Sequence, residues 1–169
     1  MSAQIQSLRK ADIAELVRLA RAIWYAHYPN IIPAEQIEYM LAQRYHADVI
    51  GAQLESKGYW WHKLVLDDAM VAFSACELPG NELKLDKLYV HQDLQRRGYG
   101  SQLLQFTENL ARSQGCQAVY LQVNKNNTSA IHAYKRNGYA VRDSVIFDIG
   151  NGFVMDDYVM AKKIARGEE

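Results

Sequence analysis

Gln95-Arg96-Arg97-Gly98-Tyr99-Gly100 (QRRGYG) lies between a strand-like stretch, Leu83 to Val90 (LKLDKLYV), and a helix-like one beginning at Ser101. Two arginines run into two glycines separated by one residue. A surface turn needs one glycine and no arginine, so three anion-binding readings compete with a plain turn. A Walker A loop ends in Gly-Lys-Ser/Thr, whereas Gly100 is followed by Ser101-Gln102; that reading fails. A dinucleotide fingerprint needs a third glycine where Leu103 stands, and LKLDKLYV is too polar for a strand buried on both faces. The third reading needs only a helix start. The first turn carries backbone N–H groups without helical partners at the positive end of the macrodipole. An anion reaches them closely where β-carbons are missing, as at Gly98 and Gly100, with Arg96 and Arg97 adding attraction.

Outward from this loop the periodicity changes sides. Behind it, Leu103, Leu104, Thr107, Leu110 and Ala111 recur at helical spacing until Gly115. Ala118 to Val123 then reads as a strand, Ala130 to Arg136 as a short helix closed by Gly138, and Val141 to Ile149 with Phe153 to Lys162 as a hairpin around Gly150-Asn151-Gly152. Ahead of it, Trp60 to Leu66, Met70 to Glu77 and Leu83 to Val90 form a meander through Asp67-Asp68 and Pro79-Gly80-Asn81. Earlier still, Ile5 to Leu8 is a first strand. A helix starts at Ala11, with a stripe of Ile13, Leu16, Val17, Ala20, Ile23 and Trp24. A second starts near Pro33, with Ile37, Met40 and Leu41, and an amphipathic piece spans Val49 to Leu54. This order predicts an α+β fold with a mixed, mostly antiparallel sheet. The strands on either side of the QRRGYG helix should be parallel, because a helical crossover reverses direction twice.

The chain has 169 residues, no repeat and no linker, which predicts one domain over residues 1–169. Its 19 Lys and Arg balance 19 Asp and Glu, so no global field draws it to nucleic acid or membrane, and an anion site must be local. No apolar run reaches the roughly 20 residues of a membrane span, and the N-terminus does not read as a secretory signal. Cys76 and Cys116 stand far apart, outside any CxxC, as two small core residues of a reducing cytoplasm. The five histidines show no metal-ligand spacing.

Val90-x4-Gln95-Arg96-Arg97-Gly98-Tyr99-Gly100 resembles the acyl-CoA pyrophosphate loop of the GCN5-related N-acetyltransferases, Gln/Arg-x-x-Gly-x-Gly/Ala. Asn127-Thr128-Ser129-Ala130-Ile131-His132-Ala133-Tyr134-Lys135-Arg136-Asn137-Gly138-Tyr139 is similar to that family's Asn-x-x-Ala-x-x-x-Tyr-x-x-x-Gly-Phe/Tyr. Both occur in the family's order and separation. The resemblance implies a single-domain fold whose central parallel strands splay to admit acetyl-CoA, with no metal. The backbone of Leu88, Tyr89 and Val90 would bond the pantetheine as a pseudo-strand. Gln95 and the backbone from Arg96 to Ser101, through Arg97, Gly98, Tyr99 and Gly100, would hold the pyrophosphate. Asn127 reads both as a helix N-cap and as the family's asparagine near the pantetheine. Ala130, four residues before Tyr134 and so on one helix face with it, leaves room for the cofactor.

Tyr134 matches the family's acid: a phenol, ordinarily near pKa 10, that protonates the departing thiolate. The base must take a proton from the acceptor's ammonium. Glu82, Lys84 and Asp86 alternate onto one strand face. Some family members carry a glutamate where Lys84 stands, so Asp86 is the leading base and Glu82 the next. Acceptor choice falls to the variable parts. Trp24 and Tyr28, among Tyr25, His27 and Tyr39, are aromatic, and Asp148, Asp156 and Asp157 make the hairpin acidic, a combination that suits a cationic amine.

The expected activity is therefore direct acetyl transfer from acetyl-CoA to a small primary amine of (poly)amine type. A protein or ribosomal N-terminus is the alternative acceptor, and a non-catalytic CoA sensor or scaffold the alternative class. Nucleic-acid binding is disfavoured by the balanced charge. Family habit adds a homodimer.

Overall fold

A computed structural model of the chain describes residues 2–165. Its elements run β1 (Ala3–Ser7), a 3-10 turn (Lys10–Asp12), α1 (Ile13–His27), α2 (Ala34–Arg44), α3 (Ala47–Glu55), β2 (Tyr59–Leu66), β3 (Ala69–Glu77) and β4 (Leu83–Val90). After a 3-10 turn (Gln92–Leu94) come α4 (Tyr99–Ser113), β5 (Ala118–Asn124), α5 (Thr128–Arg136), β6 (Ala140–Gly150) and β7 (Phe153–Lys163). The seven strands pair in the order β1-β2-β3-β4-β5-β7-β6, all antiparallel in the registers seen except β4 with β5, which run parallel through Leu83↔Val119, Lys84↔Tyr120 and Leu85↔Leu121. The mixed α+β sheet with its one parallel pair is thus the fold expected.

The chain forms two compact units, one of residues up to 77 with 87–103, the other of residues 78–86 with those from 104 onward. In the first, β1 and β2 pair from Ala3↔Leu66 to Ser7↔His62, and β2 turns into β3 through Asp67 (φ 50) and Asp68 (φ 63). Two consecutive left-handed residues match the twist of a tight hairpin, which is why aspartates serve there. The stripe Leu16, Leu19, Ala20, Ile23 and Trp24 of α1 is buried, and α1 packs on β3, α2 and α3. Asp12 ties the start of α1 to β2 through Lys63 at 2.9 Å. Burial alone would raise its carboxyl, but the Arg9 N–H and Lys63 pull it down to about 2.

The helical piece expected at Val49 to Leu54 is longer, because His46 supplies its N-cap: His46 Nδ1 accepts from the Asp48 N–H at 3.1 Å. The first strand lies two residues earlier than expected at its start, and Leu8 continues the edge by donating its N–H to Trp61 O at 3.0 Å.

In the second unit the closing hairpin turns through Gly150 (φ 95), Asn151 (φ 56) and Gly152 (φ 80). Its second strand lies inside the sheet. β7 pairs with β5 from Ala118↔Lys163 to Asn124↔Asp157 and with β6 on its other side, leaving β6 as the outer strand. Burial follows: Asp157, Val159 and Met160 of β7 are buried, while β6 is exposed along most of its length.

Candidate active site

In the first unit, the loop after β4 is tied down before it reaches the arginines. The His91 N–H donates to Val71 O at 2.8 Å, Leu94 N–H to His91 O at 2.9 Å, and Gln95 Nε2 to Val90 O at 3.4 Å. Arg96 (φ 64) and Gly98 (φ 87) both lie in the left-handed region, and Arg96, Arg97 and Gly98 are exposed. The first helical bond is Gln102 N–H to Gly98 O at 3.0 Å. The N–H groups of Tyr99, Gly100 and Ser101 therefore precede the intrahelical ladder, as an anion-binding helix start requires.

The two glycines have different reasons. Gly98 needs its positive φ, while a Cβ there would meet nothing within 4 Å. Gly100 has no such φ, and a Cβ on it would come no closer than 3.9 Å to Leu88 Cδ2 and Val90 Cγ2. Neither backbone nor packing demands glycine at 100, and the missing side chain leaves the N–H row open to an approaching group. The residues thus fit the pyrophosphate of a CoA. Leu88 and Tyr99 pack against a cluster of Leu64, Ala72, Val90 and Leu103, holding the start of α4 and the end of β4 together.

In the second unit, α5 carries the other motif. Asn127 occupies the N-cap position and is buried, but its side chain makes no bond to the helix N–H groups, so the capping expected of it is not made. Its carbonyl accepts from Ile131 N–H at 3.1 Å. Ala130 and Tyr134 are half-buried on one face of α5. Burial pushes the Tyr134 phenol up to about 12. α5 ends where Gly138 takes φ +93, and the next N–H, from Tyr139, bonds back to Tyr134 O at 3.0 Å.

On β4, Asp86 and Lys84 share a face, Nζ to Oδ1 at 3.9 Å, with the Asp86 side chain 12% exposed. Glu82 is differently occupied: both its oxygens accept from Arg142 Nη1 at 3.0 Å. Both acids thus face a cation, Glu82 at hydrogen-bond distance from Arg142 and Asp86 farther, at 3.9 Å, from Lys84.

The aromatic residues in the first unit form a core. Trp24 is 1% exposed and Tyr28 8%. Trp24 stands 4.4 Å from Tyr28 and 5.7 Å from Tyr89 between ring centroids, and the Tyr28 and Tyr89 hydroxyls meet at 2.9 Å. Tyr25 is more exposed and donates to Glu38 at 2.6 Å, while Glu38 also pairs with Arg21. A residue not singled out in the sequence lies beside them. Lys87 is buried at 4% exposure, its ammonium 4.9 Å from the Trp61 ring, 5.7 Å from Tyr45 and 5.8 Å from Tyr59, and it donates to Tyr59 Oη at 3.1 Å. Only its strand parity with Tyr89 hinted at this. Of the hairpin acids, Asp148 Oδ1 accepts from Gly150 N–H at 2.7 Å, Asp156 pairs with Lys125 at 2.8 Å and Asp157 is buried. Among the described residues no three His, Cys, Asp or Glu side chains gather to hold a metal, and no helix is long and apolar enough to cross a membrane.

Residues 14–139 match the acetyltransferase (GNAT) family. The spermidine N(1)-acetyltransferase of Thermoplasma acidophilum is 24% identical over 160 residues, covering 92% of this chain and 97% of that protein. The [ribosomal protein bS18]-alanine N-acetyltransferase of Salmonella typhimurium is 34% identical over 77 residues, 46% of this chain and 52% of that one. The crystal structure of the PaiA N-acetyltransferase from Thermoplasma acidophilum, solved with coenzyme A, superposes with a TM-score of 0.85 at 24% identity, covering 96% of this chain and 99% of that one. That likeness establishes the fold.

Proposed function

Since this chain belongs to the acetyltransferase (GNAT) family, we propose that it moves an acetyl group directly from acetyl-CoA to the primary amine of a small, (poly)amine-like acceptor. Membership carries the activity class and the donor: the chain is an N-acetyltransferase and acetyl-CoA is its acyl donor. The reading of the site rests on Gly100, whose missing side chain is explained by an anion at the start of α4 and by nothing within the fold.

In this reading the backbone of Leu88, Tyr89 and Val90 bonds the pantetheine. Gln95 anchors the loop, and the N–H groups from Arg96 to Ser101 take the pyrophosphate, with the exposed Arg96 and Arg97 adding charge. Asn127 and Ala130 are the α5 residues that the motif assigns to acetyl-CoA. Asp86 accepts the proton that the acceptor ammonium must lose before its nitrogen attacks the thioester carbonyl. As the C–N bond forms and the C–S bond breaks, the sulfur leaves with the electron pair, and Tyr134 meets it with its O–H. A phenol near 12 stays protonated throughout the neutral range. Against a thiol near 8.5, complete transfer from a phenol near 12 is uphill by about 3.5 pKa units. Tyr134 therefore acts chiefly as a hydrogen-bond donor to the forming thiolate, and solvent takes the second proton from the acylated nitrogen and delivers one to the sulfur. Direct transfer is also favoured by the cysteines: Cys76 and Cys116 are both buried and form no disulfide, and burial pushes the Cys116 thiol up, away from the nucleophilic thiolate. Two buried, unbridged thiols also suit the reducing cytoplasm.

The relative that spans most of the chain is named for spermidine, which supports the small-amine acceptor. The bS18-alanine relative, more alike over a shorter stretch, supports a second reading in which the acceptor is a ribosomal protein's N-terminus. A thiol-release assay with acetyl-CoA against polyamines, diamines and peptides with free N-termini separates them. Turnover with polyamines and diamines is expected. Turnover with peptides alone establishes the second reading, and acetyl-CoA binding with no turnover on any amine leaves a CoA sensor.

A further inference from the structure

The helix after the anion loop carries a buried acid that the chemistry above does not use. Glu108, on α4, is 3% exposed. A buried carboxylate is costly unless charged and hydrogen-bonded partners surround it. Glu108 has two: Lys162 Nζ on β7 donates to Oε1 at 2.9 Å, and the Tyr139 hydroxyl donates to Oε2 at 3.3 Å. Lys162 reaches Glu108 by running its alkyl chain past Gly138, where an added Cβ would stand 3.2 Å from Cε. Its ammonium also lies 5.9 Å from the centroid of the Tyr139 ring.

Tyr139 is therefore held at its hydroxyl, at its ring face and, through its N–H, at its backbone. Its ring in turn meets Tyr134 edge to face, with centroids 5.9 Å apart and planes at 64°. Tyr134 has two soft torsions with which to aim its phenol, and the Tyr139 ring is packed against it. A phenylalanine at 139 would pack the same ring, so the hydroxyl with its buried acceptor must have another purpose.

We propose that Glu108 is a positioning residue for the transfer reaction: with Lys162 it locks Tyr139, and the locked ring sets the direction of the Tyr134 O–H. This rests on the reading of Tyr134 given above. Its action is through Tyr134 alone, so its effect should vanish when the phenol is gone. Misaiming a reacting group by a fraction of an ångström is enough to slow a reaction without weakening binding.

The experiment is a double-mutant cycle at saturating acetyl-CoA, with Glu108→Gln and Tyr139→Phe each made alone and in a Tyr134→Phe background. The amide of Glu108→Gln keeps an acceptor for Tyr139 but loses the charge that fixes Lys162; Tyr139→Phe keeps the ring and loses its tether. Each single variant should lower kcat by about 3- to 10-fold, leave the KM for acetyl-CoA within about 2-fold, and lose that effect in the Tyr134→Phe background. An equal fall of kcat in both backgrounds would overturn the proposal and leave Glu108 a structural acid. Unchanged kcat in both single variants would overturn it as well. If Tyr134→Phe itself leaves kcat untouched, the reading of Tyr134 fails first and this inference with it. Should Glu108→Gln not fold, the Tyr139→Phe arm decides alone.

Discussion

Replacing Gly100 by alanine should make the protein more stable and a poorer binder of its donor. Gly100 sits in the first turn of α4 without a left-handed φ, and the new Cβ would lie 3.9 Å from Leu88 Cδ2 and Val90 Cγ2, an ordinary contact. Removing a glycine from such a position lowers the entropy of the unfolded chain by about 0.5 kcal/mol. For a chain of this size that raises Tm by about 1–2 °C. The same Cβ stands over the end of β4, on a residue whose own N–H belongs to the row from Tyr99 to Ser101. Losing one charge-assisted hydrogen bond to a phosphate costs about 1.5–3 kcal/mol, a weakening of about 10- to 150-fold. Scanning fluorimetry without ligand and titration calorimetry with CoA read the two effects separately. Gly98→Ala is the contrast: its φ of +87 strains any L side chain, so it should lose about 1 kcal/mol and lower Tm. A Gly100→Ala protein that is more stable and binds CoA unchanged would refute the reasoning, because the glycine would then have no ligand to make room for.

Tyr134→Phe should bind acetyl-CoA as the native protein does while its kcat falls about 10- to 100-fold, the loss of one hydrogen bond aimed at the leaving sulfur; steady-state kinetics beside calorimetry checks both. Because burial holds this phenol near 12, the log kcat profile should rise with deprotonation of the base and acceptor and then stay level to about pH 10. An alkaline fall centred near 10 that disappears in Tyr134→Phe would show an ordinary phenol instead. Asp12, held at about 2 by the Arg9 N–H and Lys63 against the raising effect of burial, contributes stability that is present above its ordinary 3.8 and is lost as pH falls through 2. Asp12→Asn should therefore cost about 2 kcal/mol at pH 7, shrinking below pH 4, as urea denaturation at both pH values would show.

What the sequence revealed and what it hid divide along a physical line. β4 was readable to the residue, Leu83 to Val90, since period-2 alternation and flanking turns both mark it. The QRRGYG loop was readable because access to a helix start is a backbone property, and Gly98 and Gly100 announce it. The start of α3 was hidden because a histidine, an unusual cap, takes the role of serine or aspartate there. The inner position of β7 was hidden too. Val141, Val145, Ile146 and Phe147 make β6 as apolar in sequence as β7, yet Ile146 is 70% exposed on the outer strand. Asn127 sits at the expected cap and does not cap, and the raised phenol of Tyr134 depends on desolvation by burial. No local pattern carries such information.

Lys87 changes how an acceptor's charge can be read. The aromatic residues of the first two helices suggested a surface for a cationic amine, but rings beside them, not singled out in the sequence, already enclose the Lys87 ammonium, at 4.9 Å from Trp61, 5.7 Å from Tyr45 and 5.8 Å from Tyr59. A desolvated cation–π contact stabilises by about 2 kcal/mol, and Lys87 also donates to Tyr59 Oη at 3.1 Å. An incoming amine would have to displace that cation before gaining the same contacts, and Trp24 and Tyr28 are too deeply packed to offer a face of their own. Selection for a cation thus falls to carboxylates. Glu82 pairs with Arg142, Asp156 with Lys125 and, at the longer distance of 3.9 Å, Asp86 with Lys84, so an arriving ammonium must compete with a resident cation at each of these acids.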